Sequence, residues 1–503
     1  MNTEITQSLM LTAQGLEKAD TIIKGGKIFN VFTGELIDDC MVGIKKERIA
    51  YVGKPLDEII GEETTVINAD GKTLIPGFID GHTHIAWINT PEEFLKPAMT
   101  GGTTTIITEI MEPYPVAGLA GVLDFLNSLQ AQPIKIFATA PAMVSISRRT
   151  RGIKIDDLKV LLKRPDILGL GESYWQGVLQ APEVYLPLFC ETLAFRKTLE
   201  GHTAGANEKK LNAYAAVGVS SCHEPIQASE ALDRLRLGMH VMIREGSVRR
   251  ELNAIAKITK KNIDFRRLTL VSDGISPEVL MENGYMEFIV QKAINCGFSP
   301  IDAIRMASLN VAEHFSLDGQ IGAIAPGRFA DILIIPDIHT IKPNYVISNG
   351  KIIAKDGNCL ASPRPHDFSA QSRKTVILPR PFSPMDFAIR IPNGRDRQKV
   401  RMIELVTDLV TRERQIALPV TENEIRADIT QDILKIAAID RAKSPGDMFV
   451  GLIKGFGLTS GAVASSSTWD SADIIVVGTN DMDMSHAINR IRDLQGGIVI
   501  ING

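Results

Sequence analysis

Apolar and polar positions follow one rhythm at the two flanks of the chain and another in its middle. Between about residues 20 and 75, the runs Ile22–Gly25, Lys27–Val31, Met41–Lys45 and Arg48–Val52 are β-rich and separated by Gly-Gly, Thr-Gly and charged turns. Ile67–Asn68 and Thr73–Ile75 add two shorter runs, and similar ones return at Ala330–Ile335 and Val346–Ala354. The flanks therefore predict one β-sandwich lobe, residues 1–76 with 321–361, built from both sides of a long insertion.

Inside that insertion, residues 77–320, apolar β-rich runs alternate with helical patterns. Strands are predicted at Phe78–His84, Thr103–Thr108, Ile134–Ala138, Ile167–Glu172, Leu199–Thr203, Val217–His223, His240–Arg244 and Leu268–Asp273. Helices are predicted at Pro91–Thr100, Pro115–Gln130, Ile155–Leu162, Val184–Thr198, Asn207–Ala216 and Ala228–Leu237. This repetition is the pattern of an α/β (β/α)8 TIM-like barrel. A doubly wound open sheet is the rival, but it rarely needs so many uninterrupted repeats. Ser362–Pro384, rich in Pro, Arg and Ser, reads as a linker. Residues 385–503 read as a separate C-terminal α/β domain, with strand, helix and strand at Ile474–Gly478, Ser485–Gln495 and Ile498–Ile501.

Composition narrows the function classes. The 503 residues are 44% hydrophobic and 23% charged, an ordinary globular balance. A formal charge of −4 argues against a nucleic-acid binder, which needs a basic surface. The five cysteines, Cys40, Cys190, Cys222, Cys296 and Cys359, form no CxxC pair. They suit a reducing compartment, and no secretory signal or membrane span is visible, so a soluble cytoplasmic protein is expected.

Candidate chemistry collects at the ends of the predicted strands. In Gly77-Phe-Ile-Asp-Gly-His82-Thr-His84 the two histidines stand two apart on a strand, so they project from the same face. They do so at a C-terminal strand end, where barrel enzymes build their sites. Glu172 closes strand four, His202 strand five, His223 strand six and Asp273 strand eight. Any one of these is more often a capping or solvated group; repeated placement at strand ends is what carries weight. Six nitrogen and oxygen ligands suit a pair of divalent metals, and manganese, iron and zinc are all compatible.

Several stretches resemble the amidohydrolase superfamily: PGFIDGHTHI, the strand-end histidines and aspartate, and APGRFADILII. GHTAGANEKKLNAYAAVGVSSCHE, IREGS, residues 302–314 and GAVASSSTWDSADIIVVGTNDMDM resemble its adenine deaminase family in particular. The resemblance covers nearly the whole chain. It implies a metal-bound hydroxide attacking C6 of adenine, releasing ammonia and hypoxanthine. It also implies Glu172 where other superfamily members carry a bridging carboxylated lysine, and a homodimer or larger assembly. On this basis Asp273 shuttles the water proton and Glu112 is the candidate acid for the ring nitrogen. Arg244 and Glu245 are candidates to orient the substrate or to pair with each other.

The chain departs from the family pattern around the ligands. Ile85-Ala86-Trp87-Ile88 replaces Ile-Glu-Ser-Ser, and Glu109-Ile110-Met111-Glu112 replaces Asp-Pro-His-Glu. Cys222 and Gly274 each stand where the family has Asp, and Trp469-Asp470-Ser471-Ala472 replaces His-Asp-Ser-His. Trp87 and Cys222 are therefore expected to line an altered substrate pocket. A purine base is the expected substrate; another aminopurine, an amino-heterocycle or a cyclic amide is the alternative. A catalytically silent scaffold is disfavoured by the intact ligand set.

Overall fold

A computed structural model describes residues 3–142, 152–391, 396–407, 410–469 and 471–503. Asp470 thus lies outside the described residues. The chain divides into two compact units, one containing Met1–Met111, Leu126–Met143 and Ile153–His366, the other containing Glu112–Phe125 and Asp367–Gly503.

In the first unit the two flanks pair in one seven-stranded sheet. Ile332–Ile335 runs antiparallel to Thr73–Pro76 with Leu333 opposite Ile75, which joins residues more than 250 positions apart in sequence. A four-stranded sheet of Arg48–Gly53, Met41–Lys45, Thr21–Lys24 and Thr65–Asn68 accompanies it. Ile23, Val42, Ile44 and Ile49 of that sheet pack with Ile28, Leu74, Ile332, Ile334 and Ile347 of the larger one, so one apolar core is shared face to face. The segment Val346–Ala354, read as one strand, is a hairpin: Tyr345–Ser348 and Lys351–Lys355 pair antiparallel around an Asn349-Gly350 turn.

The barrel strands are β1 Phe78–Thr83, β2 Thr103–Glu109, β3 Lys135–Ala140, β4 Ile167–Tyr174, β5 Thr198–His202, β6 Ser221–Cys222, β7 His240–Arg244 and β8 Leu268–Val271. Every ladder among them is parallel. The ring closes where β8 returns to β1, through a parallel bridge between Thr83 and Asp273. Strand six is much shorter than predicted, because residues 217–220 lie outside any strand and only Ser221–Cys222 pairs with β7. Ile79, Ile107, Leu168, Met242 and Val271 pack with Val311, Ala312 and Phe315 of the segment around Leu309–His314, forming an apolar plug.

The second unit carries a seven-stranded sheet in the order Thr411–Pro419, Arg397–Leu405, Met448–Lys454, Ile433–Ile439, Ile474–Gly478, Ala462–Ser465 and Ile498–Ile501. The amphipathic helix Asp481–Leu494 buries Met484, Ala487, Ile488 and Ile491 in its core. Val376 and Phe382, inside the stretch read as a linker, are buried in the same core beside Phe387. Apolar anchors thus make that stretch part of the packed unit. No helix among the described residues is long and apolar enough to cross a membrane.

Candidate metal centre

The strand ends bring the six predicted ligands together. The Nε2 atoms of His82, His84, His202 and His223 lie 3.2, 3.4, 3.1 and 3.2 Å from one oxygen of Glu172. Asp273 Oδ1 lies 3.8 Å from His82 Nε2 and 3.5 Å from His84 Nε2. Two ligand sets result: His82, His84, Glu172 and Asp273 form one, and Glu172, His202 and His223 the other. Glu172 belongs to both, the position of a bridging group.

Local backbone explains this convergence. The β4–β5 ladder changes register between Leu170 and Ser173, so Glu172 sits at an irregularity of the kind that re-aims a side chain. Gly171 beside it lets the Glu109 carboxylate approach, since a Cβ there would fall 2.1 Å from Glu109 Oε2 and displace it. Asp273 takes a φ of 59°, which Asp tolerates better than most residues. Its N–H donates to His82 O at 3.0 Å, and its carbonyl accepts from His84 N–H at 3.3 Å and Thr83 Oγ1 at 3.0 Å. Asp80, fully buried below the histidines, accepts from His82 N–H, Ser272 Oγ and Tyr285 Oη and so ties β1 to the end of β8.

Electrostatics favour a cation at this point. Burial alone lowers the His82 pKa, but the Glu109 and Glu172 carboxylates outweigh it and raise it to about 10. Burial and then the positive charge on His82 push His223 down to about 3, which leaves it a neutral ligand. Burial works to raise Glu172, yet His202 and His84 hold it well below the usual carboxylate range. His82 Nε2, Glu172 Oε2 and Asp273 Oδ1 are buried with no hydrogen-bond partner among the described residues. Each such atom costs about 1–3 kcal/mol if left unpaired. A borderline divalent ion would relieve that cost with the nitrogen and oxygen donors present.

The other predicted site residues are placed differently. Arg244 does not pair with Glu245; its Nη1 donates to Asp273 Oδ2 and its Nη2 to Glu251 Oε1, each at 3.2 Å. Glu245 instead accepts from Lys292 Nζ at 2.6 Å. The Cys222 thiol lies 2.7 Å from Thr203 Oγ1, a hydroxyl that also accepts from Arg234 Nε, and it is not part of either ligand set. Trp87 is half-buried in the turn after β1, its N–H donating to His84 O. Glu112, the candidate ring-nitrogen acid, is half-buried and belongs to the segment Glu112–Phe125 of the second unit. Sequence reasoning passed over Glu109, whose Oε1 lies 3.6 Å from His82 Nδ1, an ion-pair contact on the side of the ring opposite Glu172. It closes β2, so the strand-end rule that found the other ligands also points to it.

Comparison with known proteins identifies the family. The amidohydrolase family model matches residues 73–353, and the adenine deaminase C-terminal domain model matches residues 408–503. An adenine deaminase of Moorella thermoacetica is 37% identical over 99% of this chain and 85% of its own length. The chain belongs to the adenine deaminase family of the amidohydrolase superfamily. An adenine deaminase of Cenarchaeum symbiosum is 33% identical over 98% of this chain and 81% of its own length. Among solved structures, a β-aspartyl dipeptidase of Fervidobacterium islandicum AW-1 superposes with a TM-score of 0.54 at 17% identity, covering 68% of this chain and 97% of that one. An enamidase gives 0.53 at 18%, over 68% and 99%. These two likenesses bear on the fold, and they agree with the barrel and its accompanying sandwich.

Proposed function

We propose that this family member is a metal-dependent aminohydrolase that converts adenine and water to hypoxanthine and ammonia. The observation that carries the reading is the convergence of four imidazole nitrogens on one Glu172 oxygen beside Asp273, in a chain matched along its length by adenine deaminases. Divalent ions bound here, whether manganese, iron or zinc, would supply a nucleophile at neutral pH by lowering the pKa of water. His82, His84 and Asp273 would hold one ion, His202 and His223 the other, with Glu172 between them. Asp273 takes the proton of the attacking water on Oδ1 and returns it to the leaving amine, as a positioned general base and acid. Burial of Asp273, Glu172 and the four imidazoles keeps bulk water from competing for those protons.

A different aminopurine or a cyclic amide is the second reading. Buried Met111 and half-buried Trp87, both just past strand ends, favour it by offering apolar surface in place of hydrogen-bonding groups. We place the enzyme in the cytoplasm as a homodimer or larger, acting in purine metabolism. The test is ammonia release by the metal-reconstituted protein, with adenine first and then other aminopurines and cyclic amides. Ammonia from adenine supports the first reading. Loss of a cyclic amide without ammonia replaces it with the second.

A further inference from the structure

The residue singled out in sequence as a substrate contact, Arg244, faces a different partner. Its guanidinium is buried and forked between two carboxylates, Asp273 Oδ2 and Glu251 Oε1, each 3.2 Å away. Its Nε is buried with no hydrogen-bond partner among the described residues. The Asp273 oxygen that Arg244 does not hold is the one turned toward His82 and His84. A carboxylate free to rotate about its Cβ–Cγ bond presents either oxygen to the ligand set; one clamped at Oδ2 presents only Oδ1.

The segment after β7 is folded to keep this clamp in place. Glu251 N–H donates to the Arg244 carbonyl at 3.1 Å, which turns the chain back so that the Glu251 side chain meets the guanidinium of Arg244. Gly246 allows the segment to lie directly on the Asp273 backbone: a Cβ there would fall 2.1 Å from Ser272 O and 2.6 Å from Gly274 O. Ser247 N–H donates to Gly274 O at 2.8 Å, and Ser276 N–H donates to Ser247 Oγ at 2.7 Å, which stitches the two loops together.

We infer that Glu251 and Arg244 form a positioning relay for Asp273, with Glu251 orienting the guanidinium and the guanidinium fixing which carboxylate oxygen faces the metal and the reacting water. Arg244 is thus a positioning residue and not a substrate contact. Arg suits the task because its planar fork spans two carboxylates, whereas a lysine ammonium is a single point on a flexible stem. The inference rests on Asp273 belonging to the metal site, and it does not depend on which heterocycle is hydrolysed.

Its test uses the full-length protein and the variants Arg244→Ala, Arg244→Lys and Glu251→Gln. Metal affinity is measured by competition with a chromogenic chelator, using zinc or manganese alone, alongside kcat and KM for adenine. All three variants are expected to bind metal about 10–100-fold more weakly, the usual effect of losing a group that orients a ligand. KM is expected to stay near wild type while kcat falls, and added guanidinium to restore metal binding and kcat in Arg244→Ala but not in Glu251→Gln. Unchanged metal affinity in folded Arg244→Lys and Glu251→Gln overturns the relay. A raised KM with kcat and metal affinity intact overturns it in favour of a substrate contact. Should wild type release no ammonia from adenine, the proposed reaction fails, while the chelator competition still decides the relay.

Discussion

Two buried histidine–carboxylate clusters lie in the same barrel, and β5 contributes to both. His202 belongs to the metal-type cluster. Glu200, two residues earlier and therefore on the same face of the strand, belongs to the other. Both Glu200 oxygens lie 2.9–3.0 Å from His314 Nε2, and one of them also accepts from Ser221 Oγ. One imidazole and one hydroxyl thus bond the carboxylate, and the Thr198 hydroxyl also acts on it. Around Glu172, by contrast, four imidazole nitrogens meet one oxygen while the second oxygen has no hydrogen bond among the described residues. Residue type and burial are alike in the two clusters. A surplus of converging nitrogen and oxygen atoms, as a divalent ion would use, is what marks the Glu172 set as the candidate metal site.

The contrast is broken most severely through its shared ligand. Glu172→Ala removes the residue common to both ligand sets, so metal is expected to be lost on dialysis and turnover to fall by at least about 10⁴-fold. Wild-type metal content by elemental analysis would remove Glu172 from the site. Glu200→Gln should do the reverse, costing about 1.5–3 kcal/mol of stability in denaturant unfolding while leaving metal stoichiometry unchanged. Parallel loss of metal would show that the two clusters are coupled.

Smaller effects sharpen the same distinction. Glu109→Gln is expected to weaken metal affinity about 10–100-fold, because it loosens His82 without removing a ligand; chelator competition reads this directly. The smallest effect is in acid. Burial works to raise the Glu200 pKa, but the His314 imidazole and the Ser221 hydroxyl hold it at about 2, below its ordinary 4.5. The stabilisation from this pair is therefore complete above pH 4.5 and disappears as pH falls toward 2. Unfolding curves of Glu200→Gln should lose pH dependence in that window, and an unchanged acid limb would assign the effect to other groups.

Much of the site is legible in sequence because barrel geometry turns it into a one-dimensional rule: ligands stand at C-terminal strand ends. His82, His84, Glu172, His202, His223 and Asp273 all follow from that rule, and so does Glu109 once it is applied to β2. The partners of Arg244 are not legible in this way. Glu245 is its neighbour in the chain, but strand alternation sends the two side chains to opposite sides, and Glu251 arrives only through a backbone reversal with no composition signature. Strand six is overestimated because the apolar residues Val217 and Val219 favour a strand by propensity, whereas Val217 and Gly218 are taken up in ending the preceding helix, and Ser220 meets β5 and β7 only through single backbone bonds to Leu199 and His240. The buried Val376 and Phe382 are similarly hidden among prolines and arginines, since isolated apolar anchors show no period.

The closing bridge between Thr83 and Asp273 has a consequence for how the protein is made. It joins positions 190 residues apart, and it lies between the first two ligands of the site and the last. On the ribosome, His82 and His84 emerge long before Asp273 exists, so a nascent chain offers an ion only a partial and open grip. The full candidate set forms only once the eighth strand is synthesised and docked against the first. An ion held by that set would join the first barrel strand to the last.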